Sequence, residues 1–435
     1  MILAHGVGTR ADLPIPASLA ALGAGSALVI SFGVLALLWR APRFRGAAAG
    51  APLPAAVAGA LDGAALRLLL RGMTLVVTVA VCAIGFLGVQ NTALNLAPWA
   101  FYVTFWVGVV PASLLLGPVW RVLNPLRLLH AVLAAVMRID PDRGRAALPD
   151  AVGYWPAVAS LAAFAWFELV YPSRTEPAQV AGFVLGYAVV HTAAALIYGR
   201  RWFDRGDGFE VYSTLLGSLA PLGRRADGRL VLRNPLNGLD AVRQAPGLVG
   251  VVVVLVGSTA YDGLSRAAWW HGGVPVGTVK STLALTSSVL LIGVVYLLAT
   301  WRLDAPADRE ADGPVPSAFA HTIVPIAAGY AIAHYFSLLL FDGQQVLILA
   351  SDPFGDGSDL LGTAGRSIDY TVVSTATIAL VQVAAIVMGH LVAAVSAHDR
   401  AVRLYPPRAA LRTQYPLLAA MVGLTMGAVG LVLAA

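Results

Sequence analysis

The chain has 435 residues, 58% hydrophobic and only 12% charged, with a formal net charge of +6 and a mean hydropathy of +0.76. A soluble globular protein carries about a quarter charged residues, so this composition cannot cover a water-facing surface. The single cysteine, Cys82, excludes an intrachain disulfide, and no Gly-rich loop ending in Lys-Ser or Lys-Thr is present to cradle a nucleotide.

What remains is an all-α class: a polytopic integral membrane helical bundle. Lipid-facing backbone must be hydrogen-bonded within its own segment, which favours helices over open strands. Apolar runs long enough to span, about 20 residues each, occur near 17–39, 67–89, 99–121, 153–173 and 178–199, then near 247–268, 278–301, 317–341, 370–396 and 415–434. The sequence therefore predicts about ten transmembrane helices in one domain over 1–435, and the lipid bilayer is the first partner. Residues 46–66, rich in Ala, Gly and Pro, are expected along the interface.

The first residues, MILAHGVGTRADLPIP, are too short for a full signal peptide. Leu3-Ala4 looks like the tail of a leader, and cleavage there would free His5 as an N-terminal copper ligand; the alternative is an ordinary solvated tail. Asn124-Pro125 and Asn234-Pro235 each fit an N-cap followed by proline at the first helical position. The 200–246 segment is expected to be a cytoplasmic loop with an interfacial helix over Val211–Ala220 and a basic turn at Arg224-Arg225.

Orientation follows from the basic residues. With both termini outside, the inner loops hold 24 of the 29 Lys and Arg residues, leaving Arg10, Arg174, Arg266, Lys280 and Arg366 outside. The positive charge then reflects topology and anionic lipid, with no nucleic-acid partner implied.

The stretch GYAIAHYFSLLLFDGQQVLILASDPFGDGSDLLGTAGRSIDY, from Gly329 to Tyr370, carries the densest set of candidate groups. It reads as an apolar helix bearing His334, broken at Asp342-Gly343, then an extracytoplasmic loop over 342–369 with Asp342, Asp352, Asp356, Asp359 and Asp369. Ionisable groups in spans are expensive and usually face a cavity or a partner. Glu168 and Asp262 fall toward the outer ends of their spans, so His334, Asp262, Asp342, Asp352 and Glu168 are the candidate ligands of an outward-facing divalent metal site. His334 and Asp352 are the candidate catalytic pair. His271 follows in the loop after Asp262. His191 and His390 on facing helices would suit a haem, with His398 two turns further on; hydrogen bonding between helices is the plainer use of all three.

Several stretches resemble a bacterial family of polytopic membrane proteins labelled fenitrothion hydrolase. They are HGVGTRADLPIP at 5–16, NLAPWAFYVTFWVG at 95–108, WRVLNPLR at 120–127, GSTAYDGLS at 257–265, AHYFSLLLFDGQQVLILASDPFGDGSDLLGTA at 333–364 and GHLVAAVSAH at 389–398. The resemblance implies a bacterial inner-membrane protein that hydrolyses an organophosphate triester at its aryl leaving group. It supplies no catalytic residues, and the His-x-His motif that often opens soluble phosphotriesterases is absent. The competing expectation is a transporter, or a metal- or haem-handling protein, because prolines and glycines such as Pro111, Gly117, Pro118, Pro325 and Gly329 permit broken helices around a small apolar or metal ligand.

Overall fold

A computed structural model describes residues 17–267, 270, 277–301 and 314–434. His5, Asp12 and His271 lie outside the described residues. In chain order the helices are α1 (Ala17–Leu38), α2 (Ala55–Leu61), α3 (Ala64–Leu87), α4 (Leu96–Trp99), α5 (Val109–Leu116), α6 (Val119–Leu123), α7 (Pro125–Val136), α8 (Trp155–Leu169) and α9 (Pro177–Tyr198). They continue as α10 (Arg201–Arg205), α11 (Gly208–Gly217), α12 (Pro235–Asp240), α13 (Leu248–Arg266), α14 (Thr278–Trp301), α15 (Val315–Phe319), α16 (Val324–Ser351), α17 (Thr375–Leu404) and α18 (Pro407–Ala434). Three short strands, β1 (Ala51–Pro52), β2 (Leu222–Arg224) and β3 (Leu230–Leu232), form an antiparallel sheet in the order β1-β3-β2. Val231 of β3 pairs with both Pro52 and Gly223.

The protein is an all-α bundle, and among the described residues nine stretches are long and apolar enough to cross a membrane. Two expected spans are not among the nine. At 153–173 the helix α8 has only 15 residues, roughly 22 Å at 1.5 Å per residue, short of a hydrocarbon core of about 30 Å. The run at 415–434 lies inside the 28-residue α18. Conversely, Val119–Val136 qualifies as a span although its Arg121 and Arg127 had marked it as loop; salt bridges to Asp204 and Glu210 accommodate both charges.

Two further expectations are corrected. Helix α16 does not break at Asp342-Gly343 but runs on to Ser351, because the apolar Val346–Leu349 continues the helix past a single Gly. The 200–246 segment is not an interfacial arm. Its α11 is buried among α5, α6 and α8, and Val211, Tyr212, Leu215 and Leu216 belong to the main core. Residues 46–66 do not simply lie along an interface either, since they contribute β1 to the small sheet.

Both Asn-Pro pairs act as N-caps. Asn124 accepts a hydrogen bond from Leu126 N and Asn234 from Leu236 N, with proline at the first helical position of α7 and α12. Helices α16 and α17 cross at two glycines. A β-carbon on Gly329 would lie 2.5 Å from the Ala385 carbonyl oxygen, and one on Gly389 2.6 Å from that of Pro325. Small residues let backbones approach closely in apolar bundles, and this approach fixes where His334 and His390 lie.

The two ends of the bundle differ in charge. At the Arg-rich end the last turn of α1 meets the last turns of α17: Trp39 Nε1 and Arg43 N both donate to Asp399 Oδ1, at 2.9 and 2.6 Å. Helix α18 starts from that end. The start of α1 and the finish of α18 therefore both point toward the opposite, Asp-rich end, which carries the 352–374 loop.

That loop is held by its own carboxylates. Asp352 accepts from Asp356 N, Gly357 N and the Ser358 hydroxyl, Asp359 from the Ser351 hydroxyl and Ala364 N, and Asp369 from the hydroxyl and N–H of Thr371. At Asp359 and Asp369 the neighbouring hydroxyl is the main cause that holds the carboxyl below the ordinary aspartate value of 3.8. At Asp352, desolvation is outweighed by the combined hydrogen bonds. A carboxyl depressed in the folded state stabilises it above its unfolded value and loses that contribution as pH falls. The loop should therefore be intact at pH 5 and loosen below about pH 3.8. Hydrogen exchange of Gly357 and Ser358, corrected for intrinsic rates, should show less protection at pH 2.5; equal protection at both values would refute this.

Candidate functional site

Helices α13 and α16 bring Asp262 and His334 together inside the bundle. His334 Nε2 lies 2.7 Å from Asp262 Oδ2, with the two side chains 8% and 9% exposed. Arg266, one turn along α13, reaches Asp262 Oδ1 at 3.3 Å. The His334 ring is sandwiched: Tyr330 stacks on it at 5.5 Å between centroids, and Tyr335 meets it edge-on at 4.7 Å.

Tyr335 links this pair to Glu168. Its hydroxyl lies 3.4 Å from Glu168 Oε1 and accepts from Trp106 Nε1 at 3.0 Å. Glu168, in the last turn of α8, is buried. Trp106 sits in an eight-residue π-helical segment, Ala100–Val107, between α4 and α5. Such wide turns within α-helices occur frequently at functional sites, and no sequence signal predicted this one.

Counting Glu168, Asp262, Arg266 and His334, the cluster is neutral with the imidazole protonated and −1 without it. Protonating Glu168 in place of the imidazole gives the same neutral count. Two small cavities flank Glu168 and Tyr335. One, of about 40 Å³, is lined by Trp106, Glu168, Tyr335 and Asp342. The other, of about 30 Å³, is lined by Trp106, Glu168, Tyr335, Tyr212, Ser258 and Thr259. Each has room for about one or two waters.

The expected ligand set is only partly assembled. Asp262 and His334 pair directly, Glu168 joins through Tyr335, and Asp342 faces the same cavity as Glu168. Asp352 does not join them: it caps α16 eighteen residues beyond His334, roughly 27 Å along the helix, and spends its oxygens on its own loop. Among the described residues no group of three or more His, Cys, Asp or Glu side chains is gathered closely enough to hold a metal ion. The haem pairing of His191 with His390 is not formed either. His191 accepts from Trp202 Nε1 at 3.0 Å and contacts Ser160, whereas His390 bonds the Ile386 carbonyl of its own helix.

A second polar cluster, missed in the sequence, lies toward the Arg-rich end. Asn124 Nδ2 donates to Asp207 Oδ2 and Glu210 Oε2 at 2.8 and 3.0 Å. Arg127 binds Glu210 through Nε at 2.8 Å and Asp204 through Nη2 at 2.8 Å. Tyr187 donates to Asp207 Oδ1 at 2.6 Å. Asp207 and Glu210 are fully buried, and their spacing, an N-cap aspartate with glutamate three residues on, reads as an ordinary helix start. The available signal was Arg127 inside an otherwise apolar stretch, which demands a partner. Tyr187 also lines a larger cavity, about 330 Å³, with Phe101, Phe105, Trp120, Val184 and Phe209.

The fold and the two clusters define a multi-pass helical membrane protein with ionisable groups buried in its interior. Comparison with known proteins gave no matching family model, no matching curated protein and no matching solved structure.

Proposed function

We propose that the chain is a proton-coupled transporter of small apolar molecules. One observation carries this reading: buried ionisable groups and water-sized cavities follow one another along the bundle. The order is Asp342, the first cavity, Glu168 with Asp262 and His334, the second cavity with Tyr212, and then α11 with Glu210 and Asp207. Chains of acids and histidines inside a membrane typically relay protons. The 330 Å³ cavity is of the size that holds a small organic ligand, and Tyr187 joins its wall to Asp207. Interrupted helices, here the π segment and the break at Gly117-Pro118, accompany such sites in transporters.

The test uses protein reconstituted in sealed vesicles containing a pH dye. An imposed membrane potential, in the presence of small apolar cations or phenols, should drive proton entry. Infrared difference spectra between pH 5 and pH 9 should contain a carboxylic-acid band that Glu168→Gln removes. The absence of both signals would sink the reading.

The resemblance supports a second reading, hydrolysis of an aryl phosphotriester. The Asp262–His334 pair has the geometry of an oriented general base. His334 would take the proton of a water whose oxygen attacks phosphorus, and the aryloxide would leave. The 40 Å³ cavity has no room for a triester, so the substrate would need the helices to part. Turnover in detergent without any gradient, releasing the phenol, would favour this reading over transport.

For orientation we place the Arg-rich end in the cytoplasm of a bacterium and both termini outside, by the positive-inside rule. Single cysteines in a Cys82→Ser background test it. Ala226→Cys, in the exposed turn between β2 and β3, should be labelled only after membrane permeabilisation, and Ser367→Cys in intact cells. The reverse pattern overturns the assignment.

A further inference from the structure

A cavity apart from both clusters lies between α13, α16, α17 and α18. It measures about 130 Å³, and its wall includes Ala260, Ala327, Tyr330, His390, Gly423 and Gly427. Small and aliphatic residues make most of that wall, and no carboxylate, lysine or arginine lines it. His390 is 2% exposed, and its two nitrogens are used differently. Nδ1 lies 2.8 Å from the Ile386 carbonyl oxygen, which can only accept, so Nδ1 carries the hydrogen. In the neutral ring Nε2 is then a bare lone pair, and it has no hydrogen-bond partner among the described residues. The Tyr330 side chain closes one side of the same wall.

A buried acceptor left unpaired costs free energy, and apolar cavities of roughly 150 Å³ admit one benzene ring. Ring-sized volume, apolar walls and a lone-pair acceptor together select an aromatic ring bearing a hydroxyl, since a phenolic O–H donates more strongly than an aliphatic one. We propose that this cavity binds the head group of a membrane-dissolved phenol or hydroquinone, whose hydroxyl donates to His390 Nε2. Tyr330 forms the partition between this site and the proton cluster, because its ring stacks on His334. The proposal does not depend on the transport reading.

Binding is measured on the full chain in lipid nanodiscs by calorimetric titration. The probes are 4-octylphenol and its methyl ether 4-octylanisole, which keeps the ring but has no hydrogen to donate. Decylhydroquinone and its quinone form the second arm. The hydroxyl probes should bind about 10-fold or more tightly than their partners, as expected where a site is built around a hydrogen bond; the arm with the tighter hydroxyl probe identifies the source. His390→Leu should erase the discrimination. Gly427→Leu should abolish binding while leaving the fold intact, since a β-carbon there meets nothing within 4 Å. Equal binding of phenol and ether to the unaltered protein, or binding undiminished by Gly427→Leu, would overturn the proposal. So would no binding of any probe.

Discussion

Replacing His334 with alanine should lower gradient-driven proton entry by about 100-fold or more, the range a positioned acid–base group contributes. The bundle should survive. Asp262 keeps Arg266 at 3.3 Å, so its carboxylate is not orphaned, and the stability loss should fall below the roughly 3–5 kcal/mol seen when a buried charge loses its only partner. Asp262→Asn makes the complementary change, removing the negative charge that both His334 and Arg266 face. It should depress proton uptake as strongly as His334→Ala, and the double variant should be no worse than either single one, as for groups acting as a unit. If His334→Ala alters only thermal stability and leaves flux and the infrared band intact, the imidazole is a packing group. If it abolishes triester turnover in detergent instead, the second reading stands and the first does not.

The largest stability effect is expected at Arg127. Its guanidinium bridges Glu210 and Asp204 in a region where Asp207 and Asn124 are also buried. Replacing both members of a buried pair with well-packed apolar side chains is often neutral, but Arg127→Ala alone leaves the Glu210 carboxylate buried without its cation, while Asp204 keeps Arg121. Breaking a buried pair in this way costs about 3–5 kcal/mol. Unfolding in mixed micelles titrated with denaturing detergent should show a loss of that size, with α10 and α11 exchanging amide hydrogens earliest. Arg127→Lys keeps the charge but not the two-pronged geometry, and should recover only part of the loss. A loss under about 1 kcal/mol for Arg127→Ala would mean that the network contributes no more than a surface ion pair.

The spans were legible because composition and run length suffice to recognise apolar helices, and the Asn-Pro caps because their chemistry is local. The sequence marks Asp262 and His334 as candidates for one site, since two costly groups in separate spans call for partners, and the structure shows their direct contact. Depth was harder to read. Glu168 does fall in the last turn of α8, but its cover by Trp106 and Tyr335 comes from helices remote in sequence. Asp342 was placed in a loop because Asp-Gly usually turns the chain; tertiary packing of the following apolar turn overrode it. The second cluster escaped because its carboxylates, Asp204, Asp207 and Glu210, sit in a charged stretch that reads as cytoplasmic loop. Only the three-dimensional return of α11 into the core gives them Arg127 and Asn124 as partners. Nothing in AFYVTFWV distinguishes a π turn from an α turn.

The length of α16 has an electrical consequence. Its 28 residues extend about 42 Å, against a hydrocarbon core of about 30 Å, and His334 falls near the midpoint of the continuous apolar stretch Val315–Ser351. A charge taken half-way into the bilayer traverses about half of the voltage across it. Moving one elementary charge through all of it is worth about 2.3 kcal/mol per 100 mV, so a proton arriving at His334 from either surface gains or loses roughly 1.2 kcal/mol at that voltage. That energy corresponds to close to a sevenfold change in the equilibrium between a charge at that depth and one at the surface. On the proposed transport reading, with the Asp-rich end placed outside, an interior-negative potential should by itself speed proton entry in vesicles at equal pH on both sides.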